Sequence, residues 1–154
     1  MRGDVVTVER VIACEPSAVF ELLADASKHP LIDGSGSVKE AGSGTPQRLS
    51  LGTTFGMSMK KGLPYRMVST VIEFEENRRI AWQTKVPGLA GHFIGGRIWR
   101  YVLEPAAGGT RVQESWDISR DHQRLLFKVG PMAEQTRADM AATLERIAEV
   151  VGAP

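Results

Sequence analysis

Glu114 is the residue of this chain best placed for acid–base chemistry. It lies in the run Thr110-Arg111-Val112-Gln113-Glu114-Ser115-Trp116-Asp117-Ile118, where alternation puts Val112, Glu114, Trp116 and Ile118 on one side of a strand. A carboxyl group held among apolar side chains has its charged form disfavoured and its pKa raised. A raised pKa suits general acid or base work near neutral pH. The competing reading makes Glu114 structural, paired to Arg97, to Arg10 or to a backbone amide. The preceding run, Arg97-Ile98-Trp99-Arg100-Tyr101-Val102-Leu103-Glu104, joins the first through Ala106-Ala107-Gly108-Gly109, a hairpin connection. If Leu103 faces Val112, Tyr101 faces Glu114 and Trp99 faces Trp116. Tyr101 then becomes a hydrogen-bond donor beside the carboxyl group.

The residues able to surround that pair are aromatic and sulfur-containing. Trp82, Trp99, Tyr101 and Trp116 fall on inward strand sides and can line a pocket or pack a core. Phe55, Met57 and Met59 share one side of a strand, and Met132 and Met140 lie in the C-terminal segment. Methionine repacks easily and makes an adaptable apolar wall, although Met140 reads first as core. The segment Pro87-Gly88-Leu89-Ala90-Gly91-His92-Phe93-Ile94-Gly95-Gly96 combines four glycines with apolar side chains. It is a candidate lid, with His92 and Phe93 reaching a ligand, or a loop tucked onto the edge of the core.

Other chemistries find little support. His29, His92 and His122 lie on separate segments without metal-ligand spacing, so no metal site is expected. His29 reads as structural and His122 as solvated. The single Cys14 cannot form an intramolecular disulfide and reads as a small buried hydrophobe. There is no Gly-x-Ser-x-Gly elbow, no phosphate-binding loop and no dinucleotide fingerprint, and no cofactor is expected. Lys+Arg of 19 against Asp+Glu of 18 gives a net charge of +1, without the basic excess of a nucleic-acid binder. No run approaches the ~18 apolar residues of a membrane span. The N-terminus runs into a strand pattern with no apolar leader block, and the expected location is cytoplasmic.

The elements that must position these residues follow from periodicity. Val5–Ile12 alternates as a strand, and Pro16 opens a helix with Val19, Phe20, Leu22 and Leu23 on one face. Ser27 is the expected N-cap of a second short helix through Ile32. A weak strand over 37–41 precedes the loop Gly42-Ser43-Gly44-Thr45-Pro46. Strands follow over 53–60 and 65–75, with Gly62-Leu63-Pro64 as the turn between them. The core side of the second is open: Val68, Ile72 and Phe74 compete with Tyr65, Met67 and Val71. Ile80, Trp82, Thr84 and Val86 form one side of the next strand. Residues 121–151 are helical in two pieces broken at Gly130-Pro131, with Met140, Leu144, Ile147 and Val151 as a core stripe. Helices segregated to the ends and consecutive strands argue for α+β with an antiparallel sheet. The 154 residues fit a single domain spanning 1–154.

This order resembles the START-like (SRPBCC) superfamily, most closely its bacterial polyketide cyclase/dehydrase and lipid-transport family. The matching pieces are Val8-Glu9-Arg10-Val11-Ile12-Ala13, the helix from Pro16 to Asp25, Trp99–Pro105, Gly109–Asp117 and Thr143-Leu144-Glu145-Arg146-Ile147. The resemblance implies a helix-grip fold: a curved sheet of six or seven strands around a long C-terminal helix, with two short helices after the first strand. It also implies an apolar pocket for a hydrophobic small molecule, a lipid or polyketide, which is the expected partner. The family has no universal catalytic set, so it assigns no catalytic residue. Three functions follow as expectations. The first is a carrier or sensor of a hydrophobic ligand. The second is a polyketide cyclase, aromatase or dehydratase with Glu114 as acid or base and Tyr101 as donor. The third is a protein-interaction module with a filled cavity. The pattern assigns no oligomeric state.

Overall fold

The computed structural model describes every residue except Arg2, Ser43, Ala153 and Pro154. Ser43 of the expected 42–46 loop, and the ends of the expected 1–154 domain at Ala153 and Pro154, therefore lie outside the described residues.

Seven strands form one antiparallel sheet: β1 (Val5–Ile12), β2 (Val38–Ala41), β3 (Thr54–Lys61), β4 (Leu63–Glu75), β5 (Arg79–Lys85), β6 (Gly95–Ala106) and β7 (Gly109–Asp117). Their spatial order is β1-β7-β6-β5-β4-β3-β2. Each strand from β2 to β7 pairs with its neighbour in sequence, and β1 closes the far edge against β7. The helices are α1 (Pro16–Leu23), α2 (His29–Ile32), α3 (Arg124–Val129) and α4 (Met132–Gly152). The sheet curves around α4 in the helix-grip arrangement, an α+β architecture.

Local chemistry explains most boundaries. Pro16 starts α1, where a missing N–H is harmless. Asp25, not Ser27, caps the next segment: its side chain accepts the Ser27 N–H in front of a single tight turn over Ala26–Lys28 that runs on into α2. The acidic side chain offers its acceptor two residues earlier than the serine could. The turn between β3 and β4 is Gly62 alone, at φ +83°. Leu63 and Pro64 instead pair with Lys61 and Lys60 inside the ladder.

The core side of β4 was ambiguous because it changes along the strand. Met67, Ser69 and Val71 face inward, then the register slips between Val71 and Glu73. A bulge adds one residue and reverses the faces. Phe74 therefore turns inward onto Phe20, at 5.3 Å between ring centroids. Glu73 turns out to the convex face, where Arg100 reaches it at 2.6 Å.

The core packs in two ends. One gathers α1 with Ile80, Leu103, Val112, Leu144 and Ile147. The other gathers Val6, Trp116, Ile118 and Met140, with Phe127 and Met132 packed against it. A cavity lies between these ends, under α4.

Candidate functional site

The cavity measures about 160 Å³ and is walled by β3–β7 on one side and by α2, α4 and the segment after α2 on the other. β3 supplies Phe55, Met57 and Met59, β4 supplies Met67 and Ser69, and β5 supplies Trp82 and Thr84. β6 supplies Trp99 and Tyr101, and β7 supplies Glu114. These residues recur two apart along their strands, as one face of a pleated sheet requires. Met140 and Thr143, three apart on α4, face them across the space.

Gly34 sets how closely the wall beneath α4 can approach. A Cβ there would collide with the backbone nitrogen of Thr143 and the carbonyl of Asp139. Without one, the Gly34 N–H donates to Thr143 Oγ1 at 2.9 Å, while that hydroxyl donates to the Asp139 carbonyl at 3.1 Å. The segment is also held by Asp33, whose carboxylate accepts the N–H groups of Ser35 and Val38. Exposed Ser35 and half-buried Asp139 mark the outer rim.

Glu114 is the buried carboxyl group of this lining. It is 3% exposed. The Tyr101 hydroxyl donates to its Oε1 at 2.8 Å, and Oε2 has no hydrogen-bond partner among the described residues. The register places Tyr101 opposite Glu114 on the β6–β7 ladder. Neither Arg97 nor Arg10 pairs with it: Arg97 is held by Asp121 at 3.0 Å. Burial pushes the Glu114 carboxyl up to about 8; the Tyr101 bond lowers it in part, and nearby Asp33 adds to the rise. Burial, followed by the charge and hydrogen bond of Glu114, pushes the Tyr101 hydroxyl well above its usual range. At neutral pH the carboxyl group is thus protonated. Its Oε2 then has no hydrogen-bond partner among the described residues, in a residue that lines the cavity.

His29 forms a second polar point. Its Nε2–H donates to the Leu23 carbonyl at 2.8 Å, which leaves Nδ1 as the acceptor of a neutral ring. Burial holds its pKa below the ordinary histidine value, and the Leu23 bond and neighbouring acids offset this only in part. The ring stacks on Trp82 at 4.8 Å, and Trp82 lies 5.7 Å from Tyr101. The Ser69 and Thr84 hydroxyls share a hydrogen bond at 2.8 Å. The rest of the lining is mostly aromatic rings and methionine with Ile32 and Val38, and Asp33, Ser35, Asp139 and Thr143 add polar groups on the α2 and α4 side.

Of the residues singled out from sequence, Phe55, Met57, Met59, Trp82, Trp99, Tyr101, Glu114 and Met140 meet around the cavity. Four others lie elsewhere. Trp116 follows Glu114 on the same strand face but sits in the second core end, covered by Phe127 at 5.6 Å. Met132 packs in that cluster too. His92 and Phe93 occupy an exposed segment away from the cavity, with Phe93 pointing to solvent. His29 and Met67 were not singled out as site residues. Met67 belonged to one of the two faces left open for β4. His29 lies in a one-turn helix too short to carry a periodic signal. Cys14 lies outside the cavity, and burial raises its thiol pKa, followed by the charge of Glu15. Among the described residues, no group of three or more His, Cys, Asp or Glu side chains could hold a metal ion. Among them no helix is long and apolar enough to cross a membrane.

The model of the polyketide cyclase/dehydrase and lipid transport family matches residues 4–152. An uncharacterised protein of Mycobacterium tuberculosis strain H37Rv, Rv0088, is 28% identical over 166 residues, covering 96% of this chain and 70% of that protein. The crystal structure of CV1439 from Chromobacterium violaceum superposes with a TM-score of 0.73 at 13% identity, over 98% of this chain and 99% of that one. The solution structure of an AHSA1-like protein from Aeromonas hydrophila gives 0.66 at 18% identity, over 96% and 92%. At these identities the structural likenesses speak to the fold.

Proposed function

The chain belongs to the polyketide cyclase/dehydrase and lipid transport family, and we propose that its cavity binds one small, predominantly apolar molecule as a carrier or sensor. The observation that carries this reading is Glu114 Oε2, buried without a partner among the described residues, in the wall of a mostly apolar cavity. An unmet buried polar atom costs about 1–3 kcal/mol, and a ligand carbonyl or hydroxyl at that point would remove the cost. The rest of the affinity would come from apolar contact, at ~25 cal/mol per Å² buried. A volume of about 160 Å³ compares with the roughly 150 Å³ that accommodates benzene in an engineered cavity. A longer lipid or polyketide needs more room, and Met57, Met59, Met67 and Met140 are the side chains best able to repack. Among the described residues the lining has no Lys or Arg and includes Asp33 and Asp139, which favours a neutral ligand over a carboxylate or phosphate.

Native mass spectrometry of protein purified from its own host, then denaturation, tests this. The expected result is a released neutral hydrophobic molecule that stays unchanged on incubation with fresh protein. Its chemical conversion would overturn carriage. A bare protein that also fails to take up small apolar probes would point to a filled interaction module instead.

The Tyr101–Glu114 pair favours a second reading, a cyclase, aromatase or dehydratase in which Glu114 exchanges a proton with the substrate. Turnover of a released ligand that Glu114→Gln leaves intact would refute that role.

A further inference from the structure

Two segments carry apolar side chains that stand largely in solvent. Leu89, Phe93, Leu125, Leu126 and Val129 are 67–85% exposed, and Ile94 is nearly half exposed. The first segment is the turn over Gly88–His92 with the residues that follow it; the second is α3. Their bases are tied together. Gln123 Nε2 donates to the Phe93 carbonyl at 2.8 Å, and Gln123 Oε1 accepts the Gly95 N–H at 3.0 Å. The His122 N–H donates to the Gly95 carbonyl at 3.0 Å. Arg97 and buried Asp121 clamp the same point at 3.0 Å. α3 is anchored by Phe127, which turns inward onto Trp116 beneath the Arg97 guanidinium. Its other three apolar residues therefore project away from the body.

The charges around these tips are one-sided. Residues 85–94 and 119–131 contain Lys85, Arg120, Arg124 and Lys128, and Asp121 is their only acid. Asp121 is buried on Arg97, and Lys128 is offset by Asp4 at 2.7 Å. Arg120 and Arg124 are exposed. A protein with a net charge of +1 thus gathers an exposed positive, apolar end. The next acid along the chain is Glu134, in the first turn of α4.

We propose that this end docks on an anionic lipid bilayer, with Leu89, Phe93, Leu125, Leu126 and Val129 entering the headgroup–acyl boundary and Arg120 and Arg124 meeting lipid phosphates. Apolar tips flanked by exposed cations are the pattern of interfacial membrane binding. A second copy fits less well, because a two-fold contact would set the same cations against each other. The inference is independent of what the cavity holds.

Flotation of the full chain with vesicles tests it. One set is phosphatidylcholine alone; the other is equal parts phosphatidylcholine and phosphatidylglycerol. Binding is expected on the mixed vesicles, weakened by salt, and little is expected on phosphatidylcholine. A cation near an anionic surface is worth roughly five-fold in partition, so Arg120→Glu with Arg124→Glu should lower binding by more than about twenty-fold. Leu125→Ser with Leu126→Ser, and Leu89→Ser with Phe93→Ser, should each lower it about ten-fold or more. All six positions face solvent, and a thermal melt of each variant checks that the fold is kept. Equal binding to both vesicle types, binding unchanged in the variants, or no binding would overturn the proposal. So would a concentration-dependent dimer in analytical ultracentrifugation that the leucine variants dissolve.

Discussion

Replacing Glu114 by glutamine should stabilise the protein, and by more as the pH rises. Its carboxyl sits at about 8 in the fold against 4.5 for the free group, chiefly through burial. Below the free value both folded and unfolded chains hold the proton, and the group contributes no difference. Between the two values only the folded chain holds it, so unfolding releases a proton and the fold weakens as the pH rises. Above about 8 both forms are ionised and the whole penalty is present. Each unit is worth about 1.4 kcal/mol, so the penalty is roughly 3 kcal/mol at pH 7 and approaches 5 at the upper limit. Glutamine carries no such proton, and its carbonyl can still accept from the Tyr101 hydroxyl. Urea denaturation of both proteins at pH 5, 7 and 8.5, compared through midpoint and slope, reads the difference. The variant's advantage should be small at pH 5 and grow by a few kcal/mol. A difference constant across that window would refute the buried proton.

Other consequences follow from the same walls. His29 is held neutral by burial, so protonation favours the unfolded chain as the pH falls through the ordinary value of 6.5. The stability gap between wild type and His29→Gln should therefore shrink from pH 7 to pH 5, and a pH-independent gap in denaturation curves would sink the assignment. Tyr101→Phe removes a bond that lowers the Glu114 pKa. The variant should lose about 1–3 kcal/mol, and the midpoint of the Glu114-dependent stability change should move up in pH. Gly34→Ala drives a methyl group into the α4 backbone and should cost about 1–3 kcal/mol, seen as a lower melting temperature, whereas alanine at exposed Gly130 should leave it far less changed.

The strands were legible where both faces kept one alternation throughout. β6 and β7 are joined by a short hairpin, so Leu103 opposite Val112 carries Tyr101 to Glu114 without further information. β4 was not legible, because the bulge near Ile72 makes Met67 and Phe74 inward neighbours although they differ in parity. Alternation alone also placed Trp116 beside Glu114 in the pocket. Its exclusion depends on Phe127 arriving from α3, a contact set by where the chain turns at Gly130-Pro131. The loop at 87–96 offered two fates, lid or tucked edge. Gln123 ties its backbone down while Leu89 and Phe93 stay outside, and a hydrogen bond between segments thirty residues apart has no periodic trace.

The proton on Glu114 also separates carriage from catalysis. In its protonated form the group donates to a ligand acceptor, so binding of a neutral carbonyl compound should hold steady through neutral pH and fall as the pH passes about 8. In its ionised form the same group is a base, so a proton-abstracting turnover should rise through that value. The two profiles have opposite slopes in one window and share one titrating group. Glu114→Gln should flatten both, keeping a donor in its amide for binding while removing the base. Binding and turnover of a released host ligand, each followed from pH 6 to 9.5, would show which slope the protein has. A profile that is flat in the wild type and unchanged by the substitution would detach Glu114 from the ligand altogether and leave it as a structural acid bonded to Tyr101.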